Sequence, residues 1–319
     1  GFSIRRVSYE KCGDTIIAER GSMDRPFVIL MGHMDTVFFQ GEPLRRPFTI
    51  KDGRAYGPGV LDMKGGVAIL LSALQALEAA GWRDVPVKVI LDADEEPAHM
   101  YSNAPELIRK EAEGAACAFN FETGFADHGL VVQRKGCWRF FVEVFGRGCH
   151  VGNDPENGRS AILEMAHKII EIEKLTDFSK GYNVNAGTIE GGTVANAAPA
   201  YCKIECDFRY THPEDLPMLR KKVEEVCSRT WVPDTTTKVS DHVGFGTMQR
   251  LPGNMELLRL AQQVAEENGF PVPEARLCGG GSDAAYTTIE GVPTLCAVGV
   301  EGARNHTVEE WADVESLFR

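Results

Sequence analysis

Short apolar runs, mostly separated by helical patterns, constrain the fold of this chain more than any other feature. They lie at 27–31, 87–92, 115–121 and 293–299. The clearest helical pattern extends from Val67 to Ala80. Continuous apolar runs of this length predict strands that are buried on both faces of a sheet, and helices between strands predict parallel connections. We therefore expect an α/β domain with a mostly parallel sheet.

The middle of the chain has a different pattern. Four strands are predicted at 137–146, 183–190, 200–210 and 236–242, and two helices at 160–175 and 214–230. Between Cys202 and Arg209, apolar and polar residues alternate, which predicts one packed face and one polar face. The order β-α-β-β-α-β predicts an inserted, ferredoxin-like α+β domain. For a chain of 319 residues we expect two domains, 1–132 with 248–319 and 133–247.

Composition and charge limit the classes of partner. The formal net charge is −12 and no cluster of Lys and Arg stands out, so a nucleic-acid partner is not expected. No apolar run approaches the length of a membrane span, and residues 1–20 lack the apolar core of a secretory leader, so no membrane partner is expected. The nine cysteines lack zinc-finger and CxxC spacing, which favours reduced thiols and a cytoplasmic location.

Histidine and carboxylate side chains follow the apolar runs or lie in loops between them. They are His33 and Asp35, Asp62 in a glycine-rich loop before a helix, Glu95 and Glu96, Glu122, and His306. Ligand sites in open α/β sheets gather at the carboxyl ends of the strands. Each residue alone has an ordinary interpretation, as a hydrogen-bonded histidine, a turn aspartate or a member of a solvated acidic loop. Together they predict a metal site.

The number and type of these side chains suit two metal ions. Zinc prefers about four nitrogen or oxygen ligands, and two zinc ions can share a bridging carboxylate. The expected partition is Asp62 as the bridge, His33 and Glu122 on one metal, and Glu96 and His306 on the other. Metal-bound imidazoles usually donate their second N–H to a carboxylate, and Asp35 can accept it from His33. Glu95 is left over as a general base.

The motifs that contain these residues resemble a known family. They are GHMDTV, GPGVLDMKGG, DADEE, FETG, GRGCHVGNDPENGRSAI, GTIEGGTVANAAPAYCKIECDFRY, GGGSDAA and the late His306. In this order they resemble the dinuclear zinc exopeptidases, whose members include glutamate carboxypeptidase, acetylornithine deacetylase, succinyl-diaminopimelate desuccinylase and aminoacylases. The resemblance is strongest to the glutamate carboxypeptidase branch. It implies hydrolysis of an amide bond next to a substrate carboxylate, in a small peptide or an N-acyl amino acid.

The resemblance also implies cofactors, an assembly and residue roles. Two Zn²⁺ ions per chain are implied, with Co²⁺ or Mn²⁺ as substitutes, and the inserted domain is implied to be a lid and a homodimerisation surface. The implied metal ligands are His33, Asp62, Glu96, Glu122 and His306, with Asp35 orienting His33 and Glu95 as the catalytic acid/base. His150 is implied to stabilise the oxyanion from the partner subunit, Asn196 and Arg209 to hold the substrate carboxylate, and Gly280 to contact the substrate backbone.

One departure from the family pattern keeps other functions open. Gly and Ser residues usually follow the position of Glu96, whereas this chain has PAHMYS. His99 in this stretch is expected to be an ordinary loop histidine rather than a metal ligand. The alternatives are an N-acyl-amino-acid deacylase or dipeptidase of the same family, and a catalytically silent relative that binds peptides or amino-acid derivatives. A nucleotide-binding α/β protein is suggested only by glycine-rich turns that match neither the P-loop nor GxGxxG.

Overall fold

The computed structural model describes residues 1–318 and divides into two compact units. The first unit comprises Gly1–Arg134 and the segment that begins at Met248, and the second is Lys135–Thr247. The sequence analysis placed the inserted domain at 133–247. Its role as a lid and a dimerisation surface stays a prediction.

The strands and helices of both units are as follows, in chain order. The strands are β1 Ser3–Val7, β2 Thr15–Arg20, β3 Phe27–His33, β4 Thr49–Lys51, β5 Arg54–Tyr56, β6 Val87–Asp92, β7 Ala115–Asn120, β8 Leu130–Arg134, β9 Gly136–Phe145, β10 Asn183–Gly191, β11 Tyr201–Tyr210, β12 Thr236–Phe245, β13 Ala275–Cys278, β14 Thr294–Cys296, β15 Gly302–Ala303 and β16 Trp311–Asp313. The helices are α1 Glu42–Arg45, α2 Gly65–Ala79, α3 Ala104–Ala112, α4 Ala161–Glu173, α5 Leu216–Ser228, α6 Pro252–Asn268 and α7 Ala284–Ile289. Short helical turns cover Val60–Lys64, Pro155–Asn157, Phe178–Lys180, Pro213–Asp215 and Glu315–Phe318.

The first unit is built on an eight-stranded sheet with the order β1-β2-β6-β3-β7-β14-β8-β13. The four central strands β6, β3, β7 and β14 run parallel to one another, which confirms the predicted α/β class. Their register pairs His33 with Asp92, and pairs Asn120 with both Met31 and Cys296. The carboxyl ends of these strands therefore meet at one edge of the sheet.

Helices cover both faces of this sheet. On β14, Leu295 packs with Leu258 of α6, whereas the next residue, Cys296, packs with Ala284 of α7. Neighbouring strand residues point to opposite faces, so α6 and α7 lie on opposite sides. Since both sides of β3 and β6 are largely buried, their sequences are mostly apolar rather than alternating.

A small sheet with the order β15-β16-β5-β4 brings the end of the chain close to the glycine-rich loop. Trp311 of β16 pairs with Tyr56 of β5, directly before the loop that contains Asp62. The sequence analysis did not predict these strands, because runs of two or three residues are too short to show a period.

The second unit has the predicted element order and the ferredoxin-like α+β topology. Its four strands are antiparallel in the order β10-β11-β9-β12, and α4 and α5 pack on one face. Along β11 the side chains of Cys202, Ile204, Cys206 and Phe208 are buried against these helices. The residues between them lie on the opposite, polar face of the sheet.

The expectation that no segment is apolar enough to span a membrane needs a correction. Val60–Ala79 is long and apolar enough to do so by length and composition, although its backbone is not helical at Asp62 and Met63. The regular helix within it, Gly65–Ala79, has 15 residues and a length of about 22 Å, which is shorter than the hydrocarbon core of about 30 Å. Leu70 and Leu74 of this helix pack in the core of the first unit, as in the central helices of many water-soluble proteins.

Candidate metal centre

His33 ends strand β3 and is turned so that its two ring nitrogens face different carboxylates. Its Nε2 atom lies 3.3 Å from Oδ1 of Asp62 and 3.9 Å from Oε1 of Glu122. Its Nδ1 atom lies 3.3 Å from Oδ1 of Asp35. The ring is buried, so its two nitrogens are largely shielded from water. The arrangement presents one nitrogen to an ion while the other nitrogen is held by a carboxylate, as in many metal-binding histidines.

Asp62 lies between two histidines from distant parts of the chain. While Oδ1 faces His33, Oδ2 lies 3.1 Å from Nε2 of His306. The same nitrogen of His306 lies 3.3 Å from Oε2 of Glu96. The peptide bond between Asp62 and Met63 is cis. The structure thus brings together the two sets that the sequence analysis assigned to two metals, and Asp62 belongs to both.

The spacing of these atoms fits metal ions. Nitrogen or oxygen ligands about 2 Å from a tetrahedral zinc lie roughly 3.3 Å from one another. The nitrogen-to-oxygen distances within the two sets range from 3.1 to 3.9 Å, and the atoms of each set lie within 4.8 Å of one another. In addition, Oε1 of Glu96 is buried and has no hydrogen-bond partner among residues 1–318. The donor set therefore suits two divalent cations, with Asp62 between them.

The pKa values of these side chains show that the cluster attracts positive charge. Burial, reinforced by the charge of Asp62, raises the pKa of Glu122. Burial would also raise the pKa of Asp62, but hydrogen bonds from His306 and His33 lower it far below the usual range. Hydrogen bonds to Asp62 and Glu96 raise the pKa of His306 to about 10. Protons and metal ions compete for such atoms, so metal binding at this site would release protons.

Glu95 lies beside the two ligand sets and belongs to neither of them. Its side chain is buried, and burial raises the pKa of its carboxyl group well above the usual value, against the opposing influence of His33. A raised pKa makes a buried carboxylate a better proton acceptor. This environment is the one that a general acid/base requires.

Glu310 is a functional residue that sequence reasoning missed. Its buried carboxylate accepts backbone N–H groups of Gly59, Leu61 and Asp62 at 2.9, 2.9 and 3.0 Å. Asn305 also donates to Oδ2 of Asp62, at 3.1 Å. The only signal in the sequence was the closeness of both residues to His306. Glu310 fixes the backbone of the loop that carries the bridging aspartate.

Gly66 at the start of α2 allows the helix to approach the strand end that carries Glu122. A Cβ atom at this position would clash with the carbonyl oxygen of Phe121. Only glycine therefore permits this contact between α2 and the segment after β7.

In the second unit, His150 and Asn196 lie on neighbouring loops. The backbone N–H of Val151 donates to the carbonyl oxygen of Asn196 at 3.1 Å, and both His150 and Asn196 are exposed. The Nδ1 atom of His150 accepts the backbone N–H groups of Gly152 and Asn153 at 3.2 and 3.3 Å. In the neutral ring the proton is therefore on Nε2, which is left as a hydrogen-bond donor.

Arg209 lies on the polar face of β11, as predicted, and is paired with a residue of the same strand. Its Nε and Nη2 atoms donate to Oδ1 and Oδ2 of Asp207 at 2.5 and 2.8 Å. Asp207 also accepts from Nε of Arg139 at 3.2 Å. Burial would raise the pKa of Asp207, but these guanidinium groups hold it below the usual value. The group of two arginines and one aspartate carries a net positive charge.

Gly280 lies in the turn before α7, in the first unit. The carbonyl oxygens of Gly280 and Gly281 accept from Nη1 of Arg134 at 3.3 and 3.1 Å. The guanidinium of Arg134 is buried, so this turn is held from inside the protein.

The expectation that His99 is an ordinary loop histidine is wrong. Its side chain is 2% exposed and lies between the carboxylates of Asp92 and Asp283. The sequence pattern did not reveal this, because Asp283 is far away in the chain and the burial of a loop depends on tertiary packing.

Comparison with known proteins identifies the family. A family model described as Peptidase family M20/M25/M40 matches residues 29–319. The chain belongs to this family. The resemblance recognised in its motifs is therefore confirmed, and this M20-family protein is a metal-dependent hydrolase.

Relatives of this M20-family protein differ in the activities for which they are named. The chain is 30% identical to carboxypeptidase G2 of Pseudomonas sp. (strain RS-16), over all of this chain and 78% of the relative. It is 27% identical to succinyl-diaminopimelate desuccinylase of Caulobacter sp. (strain K31), over 99% of this chain and 84% of the relative. A solved tripeptidase from Staphylococcus aureus shares the fold, with a TM-score of 0.78, 21% identity and coverage of 100% and 85% of the two chains.

Proposed function

We propose that this protein is a dinuclear zinc exopeptidase of the glutamate carboxypeptidase type, which hydrolyses an amide bond next to a carboxylate in a small peptide or N-acyl amino acid. The observation that carries the proposal is the pair of ligand sets that share Asp62. The similarity to carboxypeptidase G2 along the whole chain supports the reaction class. The succinyl-diaminopimelate desuccinylase relative favours N-acyl amino acids as the second candidate substrate class.

In this proposal the two ligand sets hold the metal ions. The remaining side chains transfer protons, orient the ligands or bind and stabilise charged groups of the substrate. His33, Asp62 and Glu122 would hold one ion, and Glu96 and His306 would complete the site of the other with Asp62. When bound, two such ions polarise a carbonyl group and acidify water.

Glu95 takes a proton from the attacking water and then gives it to the leaving amine, so that water is added across the broken C–N bond. Its burial and its position outside both ligand sets leave its carboxylate available for this work. Asp35 holds the ring of His33 in the orientation that leaves Nε2 for the metal.

The second unit supplies substrate-holding groups in this proposal. The guanidinium of Arg209 and the amide of Asn196 bind the substrate carboxylate, and Nε2–H of His150 of the partner subunit donates to the carbonyl oxygen as negative charge develops on it. Gly280, in the first unit, contacts the substrate backbone. Since Asp207 already occupies the guanidinium of Arg209, a substrate carboxylate must compete with it.

We also propose a homodimer that forms through the second unit. Ile162 and Leu163 of α4 and Ile189 of the edge strand β10 are large apolar side chains with exposures of 39%, 52% and 58%. An edge strand beside exposed apolar residues is suited to pairing with another chain. Sedimentation analysis of the wild-type protein and of Leu163→Glu tests the proposed homodimer. A cytoplasmic location, and the absence of nucleic-acid and membrane partners, remain part of the proposal.

The reaction is tested by a screen of N-acyl amino acids and dipeptides with added zinc, scored for free amino acid. We expect release from substrates with a free carboxylate next to the amide. Glu95→Gln should abolish turnover while metal content stays at about two ions per chain. The matched control is Glu113→Gln, at an exposed glutamate of the same unit, and it should behave as wild type. Retained turnover in Glu95→Gln would refute its role, and no turnover of any substrate by wild type would favour the silent relative.

A further inference from the structure

The loop that carries Glu95 and Glu96 closes in a backbone conformation that is unfavourable for its sequence. Ala98 and His99 have φ angles of 55° and 57°, in the left-handed region. Their N–H groups donate to the carbonyl oxygens of Glu95 and Asp94 at 2.7 and 2.8 Å. Residues with a Cβ atom are disfavoured in this conformation, whereas glycine adopts it freely. Contacts elsewhere must therefore hold the loop in place.

The side chain of His99 provides such contacts. Its Nδ1 atom lies 3.4 Å from Oδ2 of Asp92, and its Nε2 atom lies 2.9 Å from Oδ1 of Asp283. The ring also meets the edge of the Tyr286 ring, with centroids 5.5 Å apart. Asp92, Asp283 and Tyr286 are all buried, so the contacts are shielded from solvent. The carboxylate of Asp94 is a further charged group that interacts with the ring.

A ring with a carboxylate at each nitrogen is best satisfied when both nitrogens carry protons. Burial would lower the pKa of His99, but Asp283 and Asp92 raise it to about 10. The same three side chains also have a spacing that a metal ion could use through one ring nitrogen. A protonated ring accounts for the approach of a carboxylate to each of the two nitrogens, whereas a single ion leaves one nitrogen facing a carboxylate without a metal between them.

The two carboxylates belong to different segments of the chain. Asp92 ends β6, where its Oδ1 atom accepts the hydroxyl group of Thr15 at 2.7 Å and its Oδ2 atom accepts the N–H of Asp94 at 3.1 Å. Asp283 precedes α7 and directly follows the turn that contains Gly280. Ser282 in this turn accepts from Nδ2 of Asn120 at 2.7 Å, at the end of β7. His99 therefore joins the loop of Glu95 to a turn that is anchored on another strand.

We propose that His99 is a positioning residue, a charged link between Asp92 and Asp283 that holds the loop of Glu95 and Glu96 against the turn of Gly280. The assignment of catalysis to that loop rests on the proposed function. The charged link does not depend on the proposed function, because it is defined by contacts within the folded protein.

The first test is spectroscopic and needs no substrate. In protein labelled with ¹⁵N-histidine, the His99 ring, assigned by its absence in His99→Asn, should carry protons on both nitrogens at pH 8. A ring with one unprotonated nitrogen at this pH would overturn the proposal. The denaturation midpoints of wild type and His99→Asn should also converge as the pH rises from about 6.5 towards 10. A histidine with a raised pKa stabilises the fold below its unfolded pKa and loses that contribution as it deprotonates.

The second test separates positioning from general stability. Asparagine tolerates the left-handed conformation but is uncharged, so His99→Asn should lower kcat roughly 10- to 100-fold, with KM changed less than about threefold and metal content unchanged. Ala98→Gly is the matched control, because it relieves the backbone without touching the link, and it should keep kcat and raise or preserve the melting temperature.

Each outcome bears on a different claim. Wild-type kcat in folded His99→Asn would overturn the positioning role, and loss of one metal ion in that variant would favour a metal site at His99. If wild type itself hydrolyses no substrate, the proposed function fails, and the NMR result still decides whether the charged link exists.

Discussion

The two units differ in how they hold most of their candidate functional side chains. In the first unit, His33, Glu95 and Glu122 are buried at or just after the ends of parallel strands, although His306 is exposed. In the second unit, His150 and Asn196 are exposed on loops, and Arg209 is paired with a neighbour on its own strand. Buried groups are fixed by the fold before any ligand arrives, whereas exposed groups can adapt to a ligand. Changes at the metal-ligand positions of the first unit should therefore alter metal content and stability, and changes in the second unit should alter catalysis or substrate affinity alone.

The largest effect is expected at the residue that both ligand sets share. Asp62→Asn should reduce metal content to well below two ions per chain and lower turnover roughly a thousandfold or more, because the amide carries no charge and offers one oxygen. Metal analysis after gel filtration and a turnover assay measure both quantities. Asp52→Asn, at an exposed aspartate of the same unit, is the control. Two tightly held ions in Asp62→Asn would contradict the bridging role.

The next prediction tests whether a change in the second unit lowers kcat without changing the metal content. His150→Ala should lower kcat about 100-fold, since it removes a donor to the developing oxyanion, while metal content and melting temperature stay as in wild type. His212→Ala, at another exposed histidine of the same unit, should change none of these. Loss of metal in His150→Ala would break the contrast between the units.

A smaller effect is expected from the support of the Asp62 loop. Glu310→Gln replaces a carboxylate that accepts three backbone N–H groups with an amide that has one acceptor. We expect zinc affinity to fall roughly 10- to 100-fold and the free energy of unfolding to fall by about 2 kcal/mol. Zinc titration and urea denaturation measure these changes. Glu309→Gln, at the exposed neighbouring residue, is the control. Equal zinc affinity and equal stability of the two variants would show that Glu310 does not support the Asp62 loop.

The smallest effect concerns the competition for Arg209. Arg209→Lys should raise KM about tenfold, because an ammonium group cannot make the paired contact with a carboxylate. Asp207→Asn should lower KM by less than tenfold, since it weakens the competing partner. Steady-state kinetics with a substrate that bears a carboxylate distinguish these shifts. A higher KM in Asp207→Asn would show that Asp207 orients Arg209 rather than competing with substrate.

The sequence predicted those parts of the molecule that local periodicity specifies. The strands that end at His33 and before Glu122 are long and apolar, so their type and their common edge could be inferred. The element order of the second unit followed from alternation along β11 in the same way. The sets around Asp62 were assembled from the known preferences of zinc, and their roles as ligands stay predictions.

Features that depend on pairing between distant segments were not predictable. Glu310 is separated from Asp62 by 248 residues and meets it through a sheet of very short strands. His99 lies in a polar stretch that resembles a solvated loop, and its burial depends on Asp283, 184 positions further along the chain. Asp207 occupies a polar position in the alternating pattern of its strand, as a surface aspartate would. Only the side-chain geometry shows its contact with Arg209.

The central claim is that two metal ions bind on either side of Asp62. Crystals soaked in zinc and measured at the zinc absorption edge test it most directly. We predict two anomalous peaks about 3.5 Å apart, one contacting His33 and Glu122 and the other contacting Glu96 and His306, with Asp62 touching both. A single peak, or peaks that avoid Asp62, would contradict the account.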